Sequence, residues 1–177
     1  GLIFFLVQMG VAVVVFYLPT FIGRLLGPVS AFTVGLVVAI PWLCALLATY
    51  LVPKLAERHR MLVPFGCISL LVAGVSMYAA SGADPLWTVV ALCLAVAGLW
   101  AVQPIFWTLL TNYLGGVAAV TGIALVNCIA NIGNFVSPNV KTWADASYGS
   151  GVAGLILMSG VVVLAACLFI GLRQRRG

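Results

Sequence analysis

The chain carries the sequence LILMSGVVVLAACLFIGL at residues 155–172, without a single charged side chain. A helix needs about 20 apolar residues to cross the ~30 Å hydrocarbon core of a bilayer. Only eleven of the 177 residues are Asp, Glu, Lys or Arg, and they leave charge-free stretches at residues 1–23, 25–53, 61–83, 85–140 and 146–172. The stretch 85–140 is long enough for two crossings, so this spacing predicts six membrane spans.

Composition supports a membrane protein. Apolar residues make up 64% of the chain and charged residues 6%, whereas soluble domains have roughly 45–50% and ~25%. A soluble chain of this composition would have to be an entirely buried subunit. A β-barrel would show alternating polar and apolar residues, but the apolar stretches here are continuous. Lipid requires the backbone to satisfy its own hydrogen bonds, which favours helices. The sequence therefore predicts an all-α bundle of six transmembrane helices.

The breaks between apolar stretches place the spans and their connections. Pro19 is expected to close the first span, and polar connections are expected at 20–28, 53–61 and 141–149, with a Gly115-Gly116 turn within 111–117. The chain starts at Gly1 within apolar sequence, which indicates a piece of a longer protein. We predict spans at about 2–19, 30–52, 62–80, 86–110, 118–140 and 151–172, followed by a basic cytoplasmic tail at 173–177.

The basic residues are distributed unevenly over the connections. Cytoplasmic connections are enriched in Lys and Arg, and one side has six of them while the other has Arg24 and Lys141. Both ends of the segment are therefore predicted to be cytoplasmic. Because the basic residues sit at membrane edges, topology explains the net charge of +5 better than nucleic-acid binding does. The six residues are Lys54, Arg58, Arg60, Arg173, Arg175 and Arg176.

The fifth predicted span contains a line of amides. Asn127, Asn131 and Asn134 follow i, i+4, i+7 spacing, which puts them on one helix face. Amides are costly against lipid, so this face should meet other helices or water. Two interpretations remain open: hydrogen bonds between helices, worth ~0.6 kcal/mol each on average, or a solute-lining surface, for which Asn127 and Asn131 are the main candidates.

A second polar segment lies in the fourth span. Pro104 interrupts the helix hydrogen bonds, while Gln103 and Trp107 share a face. These two side chains could form the wall of a site for a small polar molecule, or Trp107 could be core and Gln103 could bind a carbonyl freed by Pro104. Tyr17 of the first span is a further candidate for substrate contact, although an interfacial position would also explain it.

Taken in order, several short stretches resemble one known family. They are FYLPT at 16–20, VGL at 34–36, AIPW at 39–42, QPIFW at 103–107, GIALVN at 122–127, NIGNF at 131–135 and SP at 137–138. Together they resemble the C-terminal half of a major facilitator superfamily transporter, and are most similar to its anion:cation symporter family. PKLAER at 53–58 resembles the superfamily's G-x-x-x-D-R loop, with Pro53 in place of Gly and Glu57 in place of Asp.

The resemblance implies the remaining expectations. The six spans would be helices seven to twelve of twelve, one half of a fold with 3+3 repeats, in an inner (cell) membrane. Solute would bind between two halves that rock against each other, with Trp107 and Asn127 at cavity positions and Tyr17 as a looser match. Glu57 and Arg58 would belong to a loop that takes part in the conformational change of the transporter. The expected partners are a small organic anion, a proton or sodium ion, the lipid bilayer and an N-terminal six-helix half that carries the coupling groups.

The predicted function is thus half of a proton-coupled symporter for a sugar acid, an aromatic acid or a dicarboxylate. The alternative is a membrane scaffold or assembly subunit, in which the asparagines would bind partner helices. An enzyme is not expected, because no intramembrane Asp pair, His cluster or Ser/His/Asp set is present. No cofactor or metal is expected either, since the five cysteines form no C-x-x-C or Cys/His cluster.

Overall fold

A computed structural model describes residues 1–27, 30–82, 84–114, 116–149 and 152–172. This part of the chain consists of six α-helices joined by short connections, without a β-strand, and all six helices are long and apolar enough to cross a membrane. The predicted all-α fold with six transmembrane helices is therefore confirmed. The helices are α1 (Leu2–Leu26), α2 (Ala31–Arg58), α3 (Leu62–Ala79), α4 (Pro85–Tyr113), α5 (Gly116–Tyr148) and α6 (Ala153–Ile170).

Two helices extend well past the expected ends of their spans. Pro19 lies inside α1, which continues to Leu26, and α5 continues through the expected turn at 141–149 as far as Tyr148. Both expectations about these connections were wrong because a proline or a few polar residues do not by themselves end a long membrane helix. Instead the helices end at Gly27 and Gly149, whose φ angles of 70° and 62° are left-handed and suit glycine.

The charged segment after the second span is also mostly helical. α2 continues through Pro53 to Arg58, so residues 59–61 alone connect it to α3, where a loop at 53–61 was expected. Similarly, α4 reaches Tyr113 and α5 begins at Gly116, which shortens the expected turn at 111–117. Gly115 of that turn, Gly151 at the start of the predicted sixth span, Pro28 and the predicted tail at 173–177 lie outside the described residues.

The packing follows a repeated pattern of two sets of three helices. The first set is α1, α2 and α3, and the second set is α4, α5 and α6. In each set, the second helix packs on the first helix of the other set: α2 on α4, and α5 on α1. The third helices, α3 and α6, pack on each other and on α4 and α1, respectively. This exchange is what a 3+3 repeat predicts. It places α1 and α4 in the centre and leaves α2 and α5 on opposite flanks.

Burial follows the same repeat. In the most apolar stretch of each helix, 56% of the residues are buried in α1 and α4, 44% in α3 and α6, but only 11% in α2 and 17% in α5. The second helix of each set therefore presents most of its surface outward. Because α5 carries the three asparagines, its outward face is the first candidate for the functional site.

Candidate functional site

The amide stripe of α5, defined as Asn127, Asn131 and Asn134, lies away from the core. Asn127 and Asn131 are exposed and Asn134 is half-buried. The Asn131 Nδ2 donates to the backbone oxygen of Asn127 (3.0 Å), and the Asn134 Nδ2 lies 3.4 Å from the Asn131 Oδ1. Within the described residues, none of the three amides bonds to another helix. The interpretation as hydrogen bonds between helices of this bundle therefore has no support in the structure.

The buried side of α5 explains why the amide stripe is exposed. Ser137 is fully buried, and its Oγ donates to the backbone oxygen of Met9 on α1 at 2.5 Å. A Cβ on Gly133 would lie only 2.7 Å from the backbone oxygen of Phe5, so glycine permits a close approach of α5 to α1. These contacts fix the rotation of α5, and the amide stripe lies about 90° around the helix from them.

On α4, the expected pair of Gln103 and Trp107 is half-buried. The Trp107 ring meets the Phe4 ring of α1 edge to face, with centroids 4.8 Å apart, and Phe4 in turn stacks on Phe106 at 4.6 Å. In the described part of the chain, Gln103 makes no side-chain hydrogen bond, so it does not bind the carbonyl freed by Pro104. The indole is thus held by aromatic neighbours on one side, while the Gln103 amide remains available.

The contacts between α1 and α5 reveal the relative depth of the candidate residues. Ile129 lies next to Gly1, and Ser137 is bonded to Met9, so a position on α5 lies level with the α1 residue about 128 numbers lower. Asn131 is therefore at the depth of Phe4, which contacts Trp107. Asn127 lies about one helical turn, or ~5 Å, further toward the start of α1. Asn131 and Trp107 consequently share a level in the bundle.

Tyr17 does not belong to that level. It is thirteen residues beyond Phe4 on α1, which corresponds to about 20 Å along the helix axis. A small molecule in contact with Trp107 cannot reach it, so the structure separates Tyr17 from the other four candidate residues. Its neighbours are Phe21, whose ring stacks at 5.6 Å, and Lys141, whose Nζ lies 5.3 Å from the Tyr17 ring centroid.

Tyr17 instead joins a charged cluster that the sequence analysis assigned to loops. The Lys141 Nζ is 2.5 Å from the Asp145 Oδ2, and the backbone N–H of Gly154 donates to the Asp145 Oδ1 at 2.7 Å. Arg24 lines the same cleft between α1 and α5. The signal was present in the sequence, since the helical period that links Asn127, Asn131 and Asn134 continues through Lys141 and Asp145. It was missed because the helix was expected to end at residue 140.

The expected conformational residues Glu57 and Arg58 occupy the last turn of α2 and are exposed. Glu57 lines a cavity of about 620 Å³ together with Arg60 and with Thr108 and Asn112 near the end of α4. Arg60 has a positive φ of 55°, which marks a sharp change of direction before α3. The structure thus puts Glu57 near the end of α4, and a role of this segment in conformational change stays a prediction.

Comparison with known proteins agrees with this fold. The sequence profile of the Major Facilitator Superfamily matches residues 1–138. The inner membrane transport protein RhmT of Escherichia coli (strain K12) is 35% identical over 176 residues, which is 99% of this chain and 41% of that protein. A protein of Agrobacterium vitis described as a tartrate transporter is 32% identical over 141 residues, which is 78% of this chain and 31% of that protein. A protein of Pseudomonas putida described as the metabolite transport protein NicT is 32% identical over 162 residues, which is 89% of this chain and 36% of that protein.

The chain belongs to the Major Facilitator Superfamily, and its six-helix bundle fits one half of that fold. It is a multi-pass membrane protein, and its family and relatives are transporters rather than enzymes. The chain spans between 31% and 41% of the length of these three relatives.

Proposed function

We propose that this chain is one half of a secondary active transporter that moves small organic anions by alternating access, coupled to protons. A second six-helix half would close the outward faces of α2 and α5, and solute would bind between the halves near mid-membrane. Membership in the superfamily and the names of the transport relatives support this proposal.

The observation that carries the proposal is the amide stripe. Asn127 and Asn131 lie on the second least buried helix and make no hydrogen bond to another helix in the described part of the chain. Polar side chains in membrane helices face a bundle interior or a water-filled cavity rather than lipid. An outward amide stripe in half of a transporter fold is therefore best explained as the wall of an aqueous passage.

The chemistry of the site favours a small, polar organic acid. Neutral amides and an indole can donate to carboxylate and hydroxyl oxygens and can stack on a ring, but they cannot neutralise a carboxylate. We therefore assign Asn127, Asn131, Gln103 and Trp107 to orienting the solute. The anion-binding cation and the proton-coupling carboxylate would belong to the second half, and sodium is the alternative coupling ion. The likeness to a described tartrate transporter agrees with this class.

Uptake of radiolabelled gluconate, benzoate and tartrate into cells that express the complete transporter tests the proposal. We expect one of the three acids to enter in a manner that a protonophore abolishes. Asn131→Leu and Trp107→Ala should each reduce that uptake at least about tenfold, because each removes an orienting contact at the solute level.

Asn139→Leu is the matched control, since Asn139 is an exposed asparagine of the same helix that bonds only to the Phe135 backbone oxygen at 2.8 Å. It lies about 120° around α5 from Asn127, outside the amide stripe. Uptake should remain near wild type, with equal membrane abundance for all variants. Normal uptake by Asn131→Leu and Trp107→Ala would remove both residues from the site.

A scaffold or assembly subunit is the competing function, and cysteine labelling distinguishes the two. In a cysteine-free background, Asn127→Cys and Asn131→Cys should react with a membrane-impermeant maleimide and be protected by the transported acid. Unreactive thiols at both positions would indicate packing against partner helices and would favour the scaffold.

A further inference from the structure

We propose a second anion site at the far end of the amide stripe: a recruiting site for small carboxylates in the cleft between α1 and α5, formed by Arg24, Lys141 and Tyr17. This inference rests on the proposed function, since such a site would feed solute into the passage. It differs from the mid-membrane site because Tyr17 lies about 20 Å from the level of Trp107.

The cleft has the size of a small ligand. Its volume is about 230 Å³, the share of roughly eight water molecules in the liquid, which suits a small acid better than a drug-sized molecule. Its other walls are formed by the apolar side chains of Val13, Phe16, Phe21 and Pro138 and by Thr20 and Thr142. Both threonine hydroxyls donate to backbone oxygens of their own helices, those of Phe16 and Pro138, so the charged groups are left to attract an anion.

The charged side chains that line the cleft are two cations, Arg24 and Lys141, and one anion, Asp145, so their net charge is positive. Asp145 neutralises Lys141, but it also accepts the Gly154 N–H and thereby holds the start of α6. Lys141 is held between Asp145 and the Tyr17 ring, with its side chain 19% exposed, and its ammonium has three N–H donors, of which Asp145 uses one. Arg24 makes no ion pair within the described residues and is exposed, so it supplies the uncompensated charge.

The α5 side of the cleft lies on the same helix face as the amide stripe. Measured from Asn127 at 100° per residue, Asn131, Asn134, Pro138, Lys141, Thr142 and Asp145 all lie within about 60° of one line along α5. From Asn127 to Thr142 this line covers about 22 Å, most of the ~30 Å hydrocarbon thickness. One face of α5 thus connects a cationic cleft at one end with neutral amides at the other.

Topology does not account for these two cations. The bias that sets orientation concentrates Lys and Arg at one side of the membrane, which here holds Lys54, Arg58 and Arg60. Arg24 and Lys141 lie at the opposite end of the bundle, where that bias disfavours them. A recruiting role in the cleft next to the amide stripe explains a position that the orientation bias does not.

The test measures the local potential without relying on transport. In the complete transporter with its native cysteines replaced, Thr142→Cys is modified by the anionic 2-sulfonatoethyl and the cationic 2-(trimethylammonium)ethyl methanethiosulfonates. The ratio of the anionic to the cationic reaction rate is divided by the same ratio for a free thiol in solution, and we expect the result to exceed 1. Adding Arg24→Gln should lower this ratio about fivefold, because it removes one positive charge near the thiol. Arg24→Lys should retain the ratio, and Lys54→Gln, at the other end of the bundle, should leave it unchanged.

Asp145→Asn gives a prediction of opposite sign. The asparagine oxygen can still accept the Gly154 N–H, but the charge that neutralises Lys141 is gone. The rate ratio should therefore rise about fivefold. A ratio that does not respond to Arg24→Gln or to Asp145→Asn, in variants of normal abundance, would overturn the recruiting site.

A kinetic measurement separates this inference from the proposed function. For whichever of gluconate, benzoate or tartrate is taken up, Arg24→Gln should raise KM about three- to tenfold with little change in maximal rate. The reason is that a recruiting charge speeds the association of the anion with the protein and not the later steps of transport. An unchanged KM would also overturn the site, even with uptake intact. If the wild type takes up none of the three acids, the proposed function is contradicted. The recruiting site is not, because the thiol rate ratio tests separately whether the cleft attracts anions.

Discussion

Helices α2 and α5 hold equivalent positions in the two sets of three helices, yet their outward faces differ in chemistry. Each packs on the first helix of the other set, and they are the two least buried helices of the bundle. The middle of the α2 face is apolar, with Leu36, Ile40, Leu43 and Leu47 all at least 51% exposed. The α5 face also exposes Leu125, Ile132 and Phe135, but it adds the exposed amides of Asn127 and Asn131. Position in the fold therefore creates exposure, while the sequence decides whether the exposed surface suits apolar partners or a polar solute.

The first prediction tests the difference between the two faces with the same charge at matched depth. Leu43 and Asn131 each lie near the middle of their helix. Leu43→Asp should cost about 3 kcal/mol on insertion, because its surroundings are apolar. Asn131→Asp should be tolerated, because the proposed function places residue 131 at the wall of an aqueous passage. Membrane abundance by immunoblot should fall for Leu43→Asp only, and equal abundance of the two variants would contradict the proposed difference.

The second prediction compares a buried glycine on the inward side of α5 with an exposed glycine on α2. A Cβ on Gly133 of α5 would collide with the Phe5 backbone oxygen at 2.7 Å, whereas a Cβ on Gly35 of α2 would meet nothing within 4 Å. Gly133→Val should therefore lower the free energy of unfolding by about 1–3 kcal/mol, since a backbone atom cannot move aside easily. Gly35→Val should leave it nearly unchanged.

Thermal unfolding in detergent measures this effect. A shift of about 2–4 °C in Tm per kcal/mol is expected for a chain of this size. Equal Tm values for the two valine variants would show that α5 does not approach α1 as closely as the structure indicates.

The smallest expected effect concerns the hydrogen bond by which Ser137 of α5 is held to α1. Ser137→Ala removes the bond to the Met9 backbone oxygen and should cost about 0.6 kcal/mol, the average for such bonds in membranes. Asn139→Ala is the control, because Asn139 bonds only to a backbone oxygen of its own helix. A Tm decrease of about 1–2 °C for Ser137→Ala and none for Asn139→Ala would support the anchor; a larger loss for Asn139→Ala would contradict it.

The number and type of helices could be predicted from charge spacing, but the ends of the helices could not. Charge-free stretches long enough for a bilayer identify helices directly, because lipid leaves the backbone few alternatives. Pro19 was expected to end a span, and Pro53 and Lys141 were expected to begin connections, but each lies inside a helix. Where an α-helix ends is decided by local backbone geometry, as at Gly27 and Gly149, rather than by where the lipid ends.

The site could be predicted only in part, for a related reason. The spacing of Asn127, Asn131 and Asn134 put them on one face without any tertiary information. The separation in depth between Tyr17 and Trp107 could not be predicted, because sequence gives no depth for residues on different helices. Lys141 and Asp145 were missed as members of the same face, because the period was followed only as far as the assumed end of the span.

By itself, the sequence determined that this chain crosses a membrane six times as helices and that one of them carries amides along a single face. Both follow from local rules: the length of an apolar stretch against bilayer thickness and the 3.6-residue period. The tertiary structure alone decided that this face points out of the bundle, that Trp107 shares its level, and that Tyr17 meets Lys141 at the other end. Those facts depend on how Gly133 and Ser137 seat α5 against α1, a contact between residues more than 120 positions apart.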